Sequence, residues 1–416
     1  MLRTLYTALL YALSPAVILW LLRTSQRRGG TRMLRERLGY YRTPQFERPV
    51  WLHCASVGEV RTAAPLIRAL QRQRPDLPIL LTTATATGAE TAVRKLPTTV
   101  QHVYQPLDWP GAVKRFLRTH RPRLGVILET EIWPNLYYLS KHHRVPLILA
   151  NARLSSRSLN APALARQLQR SALARVDVVL ARSTEDAKRF SKLGVDPAHI
   201  RTLGSLKLAP PDPDQLPIEP LDLDGRATIV AASTHDDEEL RIAQAWAKAR
   251  SERQVPKLLV IVPRHPERGP GIRDVLRRAG FQVALRSAGE THSDAEIYIA
   301  DTLGELEMLM AAAEVVIIGG SLIERGGQNL VEPARLGRPI LFGPHMENFA
   351  EEAERLRAAG GAQRFLDETD LQQALIELFR DPQARRELGE QAAATVTAAQ
   401  DITALYTDAL LRQLRD

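Results

Sequence analysis

Cysteine is nearly missing from this sequence: Cys54 is the only one among 416 residues. A lone thiol excludes an intrachain disulfide framework and any cysteine-rich zinc module, and it fits a reducing compartment. No HExxH-type metal-ligand cluster is present; the ten histidines are scattered, and His142-His143 reads as a solvated helix end. There is no GxxxxGK[ST] and no GxGxxG, so neither a P-loop NTPase nor a dinucleotide fold is indicated. Aromatic residues make up only 5% of the chain, and no basic stripe with interleaved stacking aromatics runs along it. An ordinary nucleic-acid binder is therefore excluded, despite a formal charge of +9. The excess charge sits at one end. Residues 1–50 carry nine arginines against two acids, Glu36 and Glu47, whereas the rest of the chain holds 47 Lys+Arg against 45 Asp+Glu.

The length suits about two domains, and 44% hydrophobic with 25% charged residues describes a folded globular protein. Leu5 to Leu22 is an uncharged stretch of 18 residues, preceded by Arg3 and followed by Arg23, Arg27, Arg28 and Arg32. As one helix it would rise about 27 Å, roughly the hydrocarbon thickness of a bilayer. Tyr6, Tyr11 and Trp20 supply interfacial aromatics, and the arginines place the remainder of the chain on the cytoplasmic side. A membrane anchor is expected, spanning or half-inserted; a buried core helix is the rival reading. The continuation after Leu22 does not match a signal-peptide cleavage site. Pro15 near the middle leaves room for a kinked helix lying in the interface. The arginines out to Arg48 are then expected to face anionic headgroups, each contributing ~1 kcal/mol, or to be an ordinary positive-inside flank.

Beyond residue 49, short apolar runs alternate with helical periodicity. Strands are expected at Val50–His53, Ile79–Thr83, Gln101–Tyr104, Gly125–Leu128, Pro146–Ala150 and Asp177–Ala181. Helices such as Val60–Gln73, Trp109–Thr119, Trp133–His142 and Thr184–Leu193 fall between them. This alternation predicts an α/β fold with a parallel sheet. Five prolines in the twelve residues Ala209 to Pro220 break it and read as a linker. A second series follows at Ala227–Ala232, Lys257–Val262, Phe281–Ala284, Glu296–Ala300, Val315–Ile318 and Pro339–Phe342, with helices including Glu238–Ala249 and Leu303–Ala313. The expected order is an anchor and basic flank over 1–32, a Rossmann-like domain over 33–208 and a linker over 209–221. A second Rossmann-like domain over 222–395 and a carboxy-terminal helix over 396–416, able to return to the first domain, complete it. Ligands of such sheets bind outside the carboxyl ends of the strands, here in a cleft between the domains.

The loops leaving those strands carry the candidate chemistry. Ala55-Ser56-Val57-Gly58-Glu59 follows the first strand; Gly58 would ease the turn, and Glu59 can take a proton from an attacking hydroxyl or merely favour the helix N-terminus. Glu129 and Glu131 follow the fourth strand beside Trp133-Pro134, where they can orient a hydroxyl, face a developing cation, or simply begin a helix. Asn151-Ala152-Arg153-Leu154-Ser155 adds polar groups to the same rim, and Lys207 in Gly204-Ser205-Leu206-Lys207 either meets an anion or is solvated. In the second half, Ser233-Thr234-His235 can cap a helix or donate to a phosphate, and Arg264 is placed to hold a phosphate bidentately. The richest stretch runs from Gly319-Gly320-Ser321 through Glu324 and Gly326-Gly327 to Asn329-Leu330-Val331-Glu332. Its glycine pairs admit a ligand to the backbone. A helix expected from near Gln328 would aim N–H groups at an anion, with Glu332 one turn in, able to accept ribose hydroxyls.

Taken in order, the segments around Ser56–Glu59, Glu129–Asn135, Asn151–Ser155, Gly204–Lys207, Pro263–Arg268 and Gly319–Pro333 closely resemble the 3-deoxy-D-manno-octulosonic acid (Kdo) transferases of lipid A assembly. The resemblance covers essentially the whole chain. It implies a GT-B glycosyltransferase, with acceptor on the first domain and nucleotide sugar on the second. The implied donor is CMP-Kdo and the implied acceptor an anionic, tetraacylated disaccharide lipid A precursor at the inner membrane, with inversion at the anomeric carbon and neither metal nor other cofactor. By the same resemblance Glu59 is the general base, while Glu129 and Lys207 stabilise the transition state. Pro263, Arg264, Leu303, Gly304, Glu305, Asn329, Leu330, Val331 and Glu332 match the CMP-binding segments. Gly319, Gly320, Ser321 and Glu324 join them on the donor side, and Ser56, Gly58 and Glu131 line the acceptor side. Gln328 stands where the family often has a histidine. A soluble sugar-nucleotide 2-epimerase shares the architecture but has no use for an apolar, basic amino terminus, and a non-catalytic tether would bind CMP without turnover.

Overall fold

The computed structural model describes residues 2–27, 29–42, 45–129, 131–154, 156–209, 218–252, 254–397 and 401–414, the side chains of 27, 156, 157 and 401 excepted. Most of the proline-rich linker, together with Arg28, Thr130 and Ser155, lies outside the described residues. The chain divides into two compact units: Met1–Asp212 with Gln400–Asp416, and Pro213–Ala399.

Each unit is built on one seven-stranded, wholly parallel sheet. The first contains β1 (Val50–Cys54), β2 (Ile79–Thr83), β3 (Val100–Tyr104), β4 (Leu124–Leu128), β5 (Leu147–Ala152), β6 (Val178–Ala181) and β7 (Ile200–Thr202), ordered β3-β2-β1-β4-β5-β6-β7. Residues of β1, β2, β4 and β5 are buried throughout, so both faces of the sheet need covering helices. The helices are α1 (Leu2–Ala12), α2 (Ser14–Arg27), α3 (Gly30–Arg37), α4 (Val57–Gln73), α5 (Ala86–Lys95), α6 (Pro110–His120), α7 (Pro134–His142), α8 (Ser156–Leu159), α9 (Ala163–Leu173) and α10 (Thr184–Lys192). One core cluster joins Trp51, Leu80, Ile127 and Leu149 of the sheet to Phe116, Tyr137 and Phe190 of the helices.

The second sheet contains β8 (Thr228–Thr234), β9 (Leu258–Pro263), β10 (Val283–Leu285), β11 (Ile297–Ile299), β12 (Val315–Ile318), β13 (Ile340–Phe342) and β14 (Gln363–Arg364), ordered β10-β11-β9-β8-β12-β13-β14. Around it lie α11 (Glu238–Ala249), α12 (Gly269–Arg278), α13 (Leu306–Ala312), α14 (Val331–Arg335), α15 (Ala350–Ala358), α16 (Glu368–Arg380) and α17 (Pro382–Thr397). Ile229, Ile261 and Ile317 pack there with Trp246 and Leu375. A last helix, α18 (Asp401–Gln413), belongs to the first unit: it packs on α4, and the buried Tyr406 donates its hydroxyl to Gly204 O at 3.0 Å.

In both sheets the strand order reverses once beside a central strand, between β1 and β4 and again between β8 and β12. Such reversals leave a crevice at the carboxyl ends of the two strands. The edge strands β7 and β14 escape the sequence pattern, because Ile200-Arg201-Thr202 and Gln363-Arg364 are short, mostly polar and not buried.

The amino-terminal stretch is not one straight helix but takes the broken form for which Pro15 leaves room. α1 and α2 meet at a 58° bend, and among the described residues no single helix is long and apolar enough to cross a membrane. Pro15 has no N–H to offer Tyr11 O, and the Ser14 hydroxyl takes that carbonyl instead at 2.6 Å. The basic flank is also not uniformly on the surface: Arg37 is buried, and Arg3 donates to Asn135 Oδ1 at 3.0 Å.

Gly125, in the middle of β4, is required by packing. A Cβ there would lie 2.7 Å from Leu147 Cδ2 and 2.9 Å from Trp51 Cε3. Gly125→Ala is expected to destabilise the first unit by ~1–3 kcal/mol through overpacking. Calorimetry should show its transition falling in temperature while that of the second unit stays in place.

Candidate functional site

At the first reversal, β1 runs through Ala55 into α4. Ser56 is the N-cap: its Oγ accepts from Glu59 N at 3.4 Å and donates to Glu59 Oε1 at 3.0 Å, while Ala55 N donates to Glu59 Oε2 at 2.7 Å. Glu59 thus closes a variant of the capping box. Gly58 does not make the turn, contrary to expectation. It is an ordinary helical residue after the N-cap, and a Cβ on it would meet only Ser56 Oγ at 3.8 Å. The space beside it is open.

Glu129, directly after β4, has φ +56°, and its N–H is held by Ala150 O at 2.9 Å. Left-handed backbone costs a non-glycine residue about 1–3 kcal/mol and gathers at functional sites. Asn151 in β5 (φ +52°) and Ser233 in β8 (φ +59°) share it. Asn151 is buried, and its Oδ1 accepts from Leu206 N at 2.9 Å, which fixes the 3-10 turn Leu206–Leu208 that carries the half-buried Lys207. Glu131 accepts from Trp133 Nε1 at 2.8 Å through its carboxylate and from the Tyr137 hydroxyl at 2.6 Å through its carbonyl.

Glu129 and Glu131 lie near enough to Glu59 for their charges to act on it. Burial first, opposed by the Ala55 N–H and aided by the charges of Glu129 and Glu131, pushes Glu59 up to about 7. Burial also raises Glu131, opposed by its bond from Trp133 and by the charge of Arg37. That arginine, on α3, donates to Gln105 O at 3.4 Å, and its Nε has no partner among the described residues. The sequence pattern counts Arg37 among arginines that face headgroups or form a positive-inside flank, and its burial corrects both readings; burial has no signature in one arginine among nine.

At the second reversal, the buried Glu238 carboxylate at the start of α11 accepts from His235 N (2.9 Å), Gly320 N (2.6 Å) and Leu322 N (3.0 Å). It joins the loops leaving β8 and β12. In the sequence it is only one acid in a run of four. Gly319 is obligatory, since a Cβ would strike Ser233 O. Ser321 is buried, its Oγ accepting from Gly343 N at 2.8 Å. Thr234 is also buried and donates to Glu239 Oε1 at 2.9 Å.

The helix expected from near Gln328 begins instead at Val331 and runs five residues, because Asn329 Oδ1 accepts from Val331 N at 3.1 Å in a local turn. Glu332 is accordingly the second helical residue. Leu330 and Val331 are fully buried, which leaves only their backbone for any ligand. Gln328 Nε2 lies 3.0 Å from His235 Nε2. Around that imidazole stand His265, Arg325, Arg264 and Arg268; burial first, then their charges, hold His235 below its ordinary value. Arg268 is committed to Glu239 at 2.8 Å and Asp236 at 3.1 Å. Arg264 and Arg325 are exposed and have no carboxylate partner among the described residues. They form the open cationic side of this edge, beside Pro263 and Glu324. The expected residue Glu305 is bound to Arg286 (Nε–Oε2 2.6 Å) and Thr302; Leu303 is 85% exposed and Gly304 adopts φ +95°.

A model of the 3-deoxy-D-manno-octulosonic-acid transferase (kdotransferase) family matches residues 32–209. The chain is 37% identical to the 3-deoxy-D-manno-octulosonic acid transferase of Bordetella pertussis, with 98% of each chain aligned. It is 32% identical to the one from Haemophilus influenzae, with 93% of each aligned. Among solved structures it resembles a putative UDP-N-acetylglucosamine 2-epimerase from Listeria monocytogenes, with TM-score 0.58 and 13% identity over 86% of this chain and 94% of that one. That likeness shows the fold alone.

The raised Glu59 value depends in part on its neighbours. In Glu131→Gln the Glu59 carboxyl is expected to titrate lower, because one of the like charges that raise it is removed. Carboxyl-labelled NMR titration reads this directly, and an unmoved midpoint would contradict that proximity.

Proposed function

The chain belongs to the 3-deoxy-D-manno-octulosonic acid transferase family, and we propose that it moves Kdo from CMP-Kdo to an anionic, tetraacylated disaccharide precursor of lipid A, with inversion at the anomeric carbon. As a family member it is a glycosyltransferase of lipopolysaccharide biosynthesis. The observation that carries the finer reading is the carboxylate group at the first reversal, with Glu59 held near neutrality. A base with a pKa close to the working pH is best suited to accept a proton as a hydroxyl attacks.

In this reading the acceptor hydroxyl forms its bond to the anomeric carbon while the bond to the CMP phosphate breaks, the electron pair leaving with CMP. Glu59 takes the hydroxyl proton. Glu129 faces the cation-like sugar, and Lys207 meets the sugar's own carboxylate. Arg264, with Arg325 beside it, receives the charge of the departing phosphate, so no metal is invoked. Pro263, Leu303, Gly304, Glu305, Gly319, Gly320, Ser321, Glu324 and Asn329 to Glu332 shape the donor site from the second unit, Ser321, Leu330 and Val331 as its buried support. Ser56, Gly58 and Glu131 border the acceptor on the first, in the GT-B arrangement the family resemblance implies. The enzyme would work at the cytoplasmic face of the inner membrane, held there by its amino-terminal helices.

Glu59→Gln keeps the shape of the cap and removes the base. Product formation from purified enzyme, CMP-Kdo and precursor is expected to fall by about 10²–10⁴ while CMP binding persists; near-normal turnover would sink the assignment. For the native enzyme, kcat/KM should climb tenfold per pH unit below about 7 and level off above it, because the carboxyl must be deprotonated to act. Activity is expected to survive exhaustive chelation. Arg264→Ala should raise the KM for CMP-Kdo about tenfold, the loss of one charge-assisted contact.

A further inference from the structure

A helix on the surface of a soluble domain turns its apolar stripe inward. α1 does the opposite. Its inward stripe, Leu2 and Leu10 apart, is polar: Arg3 Nη1 and Thr7 Oγ1 both donate to Asn135 Oδ1 at 3.0 Å, and the Tyr6 hydroxyl donates to Asp108 Oδ2 at 3.0 Å. Asp108 and Asn135 are themselves buried and cross-linked. Asn135 N and Leu136 N donate to the Asp108 carboxylate at 3.0 and 2.7 Å, and Asn135 Nδ2 donates to Asp108 O at 2.8 Å. The Arg3 guanidinium lies 3.8 Å from the centre of the Tyr138 ring, and Tyr11 stacks on Trp109.

The outward stripe is apolar. Leu5, Leu9 and Leu13 are at least half exposed, and α2 continues it with Leu19 and Trp20. α2 itself is pinned through Leu21, against Met33, Ala86, Ala89 and Tyr104.

The geometry points to α1 and α2 lying in a single leaflet of an anionic bilayer, apolar stripe toward the lipid, rather than crossing it. A crossing helix needs about 20 residues, whereas α1 has 11 and ends at the bend. More decisively, Arg3 at its far end is tied to Asn135 on α7, six residues beyond Glu129, so both ends of α1 stay on the side of the folded unit. A polar latch of this kind has no place in the opposite leaflet.

Charge selects the lipid as occupant over a protein partner. No Asp or Glu occurs before Glu36, and the segment 132–176, whose α7 and α9 pack against α1, carries seven Lys/Arg and no acid. Arg23, Arg35 and Arg166 on these segments are exposed. Anionic headgroups contribute ~1 kcal/mol per such cation. The lipid surface thereby meets the protein at the end of the loop that bears Glu129 and Glu131.

This inference rests on the inner-membrane location proposed above, and two measurements on the full chain separate them. An epitope fused to the amino terminus should resist proteinase K in intact spheroplasts and be lost in inside-out vesicles. Digestion in spheroplasts means a crossing helix and overturns the inference while sparing the location; a protein absent from membranes altogether overturns both. In flotation with vesicles of phosphatidylglycerol and phosphatidylcholine, Leu5→Asp/Leu9→Asp should bind at least tenfold more weakly with unchanged thermal unfolding. Undiminished binding, equal binding to pure phosphatidylcholine, or loss of a dimer in place of loss of binding each refutes the lipid-facing stripe.

Discussion

A parallel sheet ends its strands in loops whose N–H groups have no neighbouring strand to bond, and at the ligand edge those loops must still be held to a fraction of an ångström. Here buried carboxylates do it. Glu59 gathers Ala55 N and the Ser56 hydroxyl, Asp108 gathers Asn135 N and Leu136 N, and Glu238 gathers three N–H groups from the loops after β8 and β12. Charge-assisted bonds of this kind are stronger than neutral ones. They also leave the carboxyl in low dielectric, where burial pushes Glu59 and Asp108 to about 7. Loop rigidity and the upward shift of these carboxyls thus come from the same placement.

Both units repeat one plan. Each reversal of strand order carries a left-handed, non-glycine residue in a flanking strand or just after it, Glu129 in the first and Ser233 in the second. What differs is the sign of the decoration. The first edge collects the carboxylates Glu59, Glu129 and Glu131, and the second collects the exposed guanidinium groups of Arg264 and Arg325 around His235.

Much of this is legible in the amino-acid sequence. Strands buried on both faces advertise themselves as runs of apolar and β-branched residues, so Ile79–Thr83 and Val315–Ile318 coincide with β2 and β12 to the residue. Acids and glycines directly after such runs mark both edges. Hidden from the sequence are properties that exist only after packing. The burial of Arg37, the three-way bonding of Glu238 and the inverted faces of α1 depend on neighbours roughly 70 to 130 positions away. Local competition explains the other differences: a side chain takes over a backbone bond at Asn329 and at Ser14, which moves one helix start and breaks another helix.

The path of the chain has a consequence for biosynthesis. α18 completes the first unit, with Tyr406 bonded to Gly204 across some two hundred intervening positions. During vectorial synthesis the ribosome must therefore make the entire second unit before the first can close, and the emerging α4 surface waits uncovered in the meantime. A chain already resting its apolar helices on a bilayer would spend that interval tethered to a surface instead of diffusing among other nascent chains.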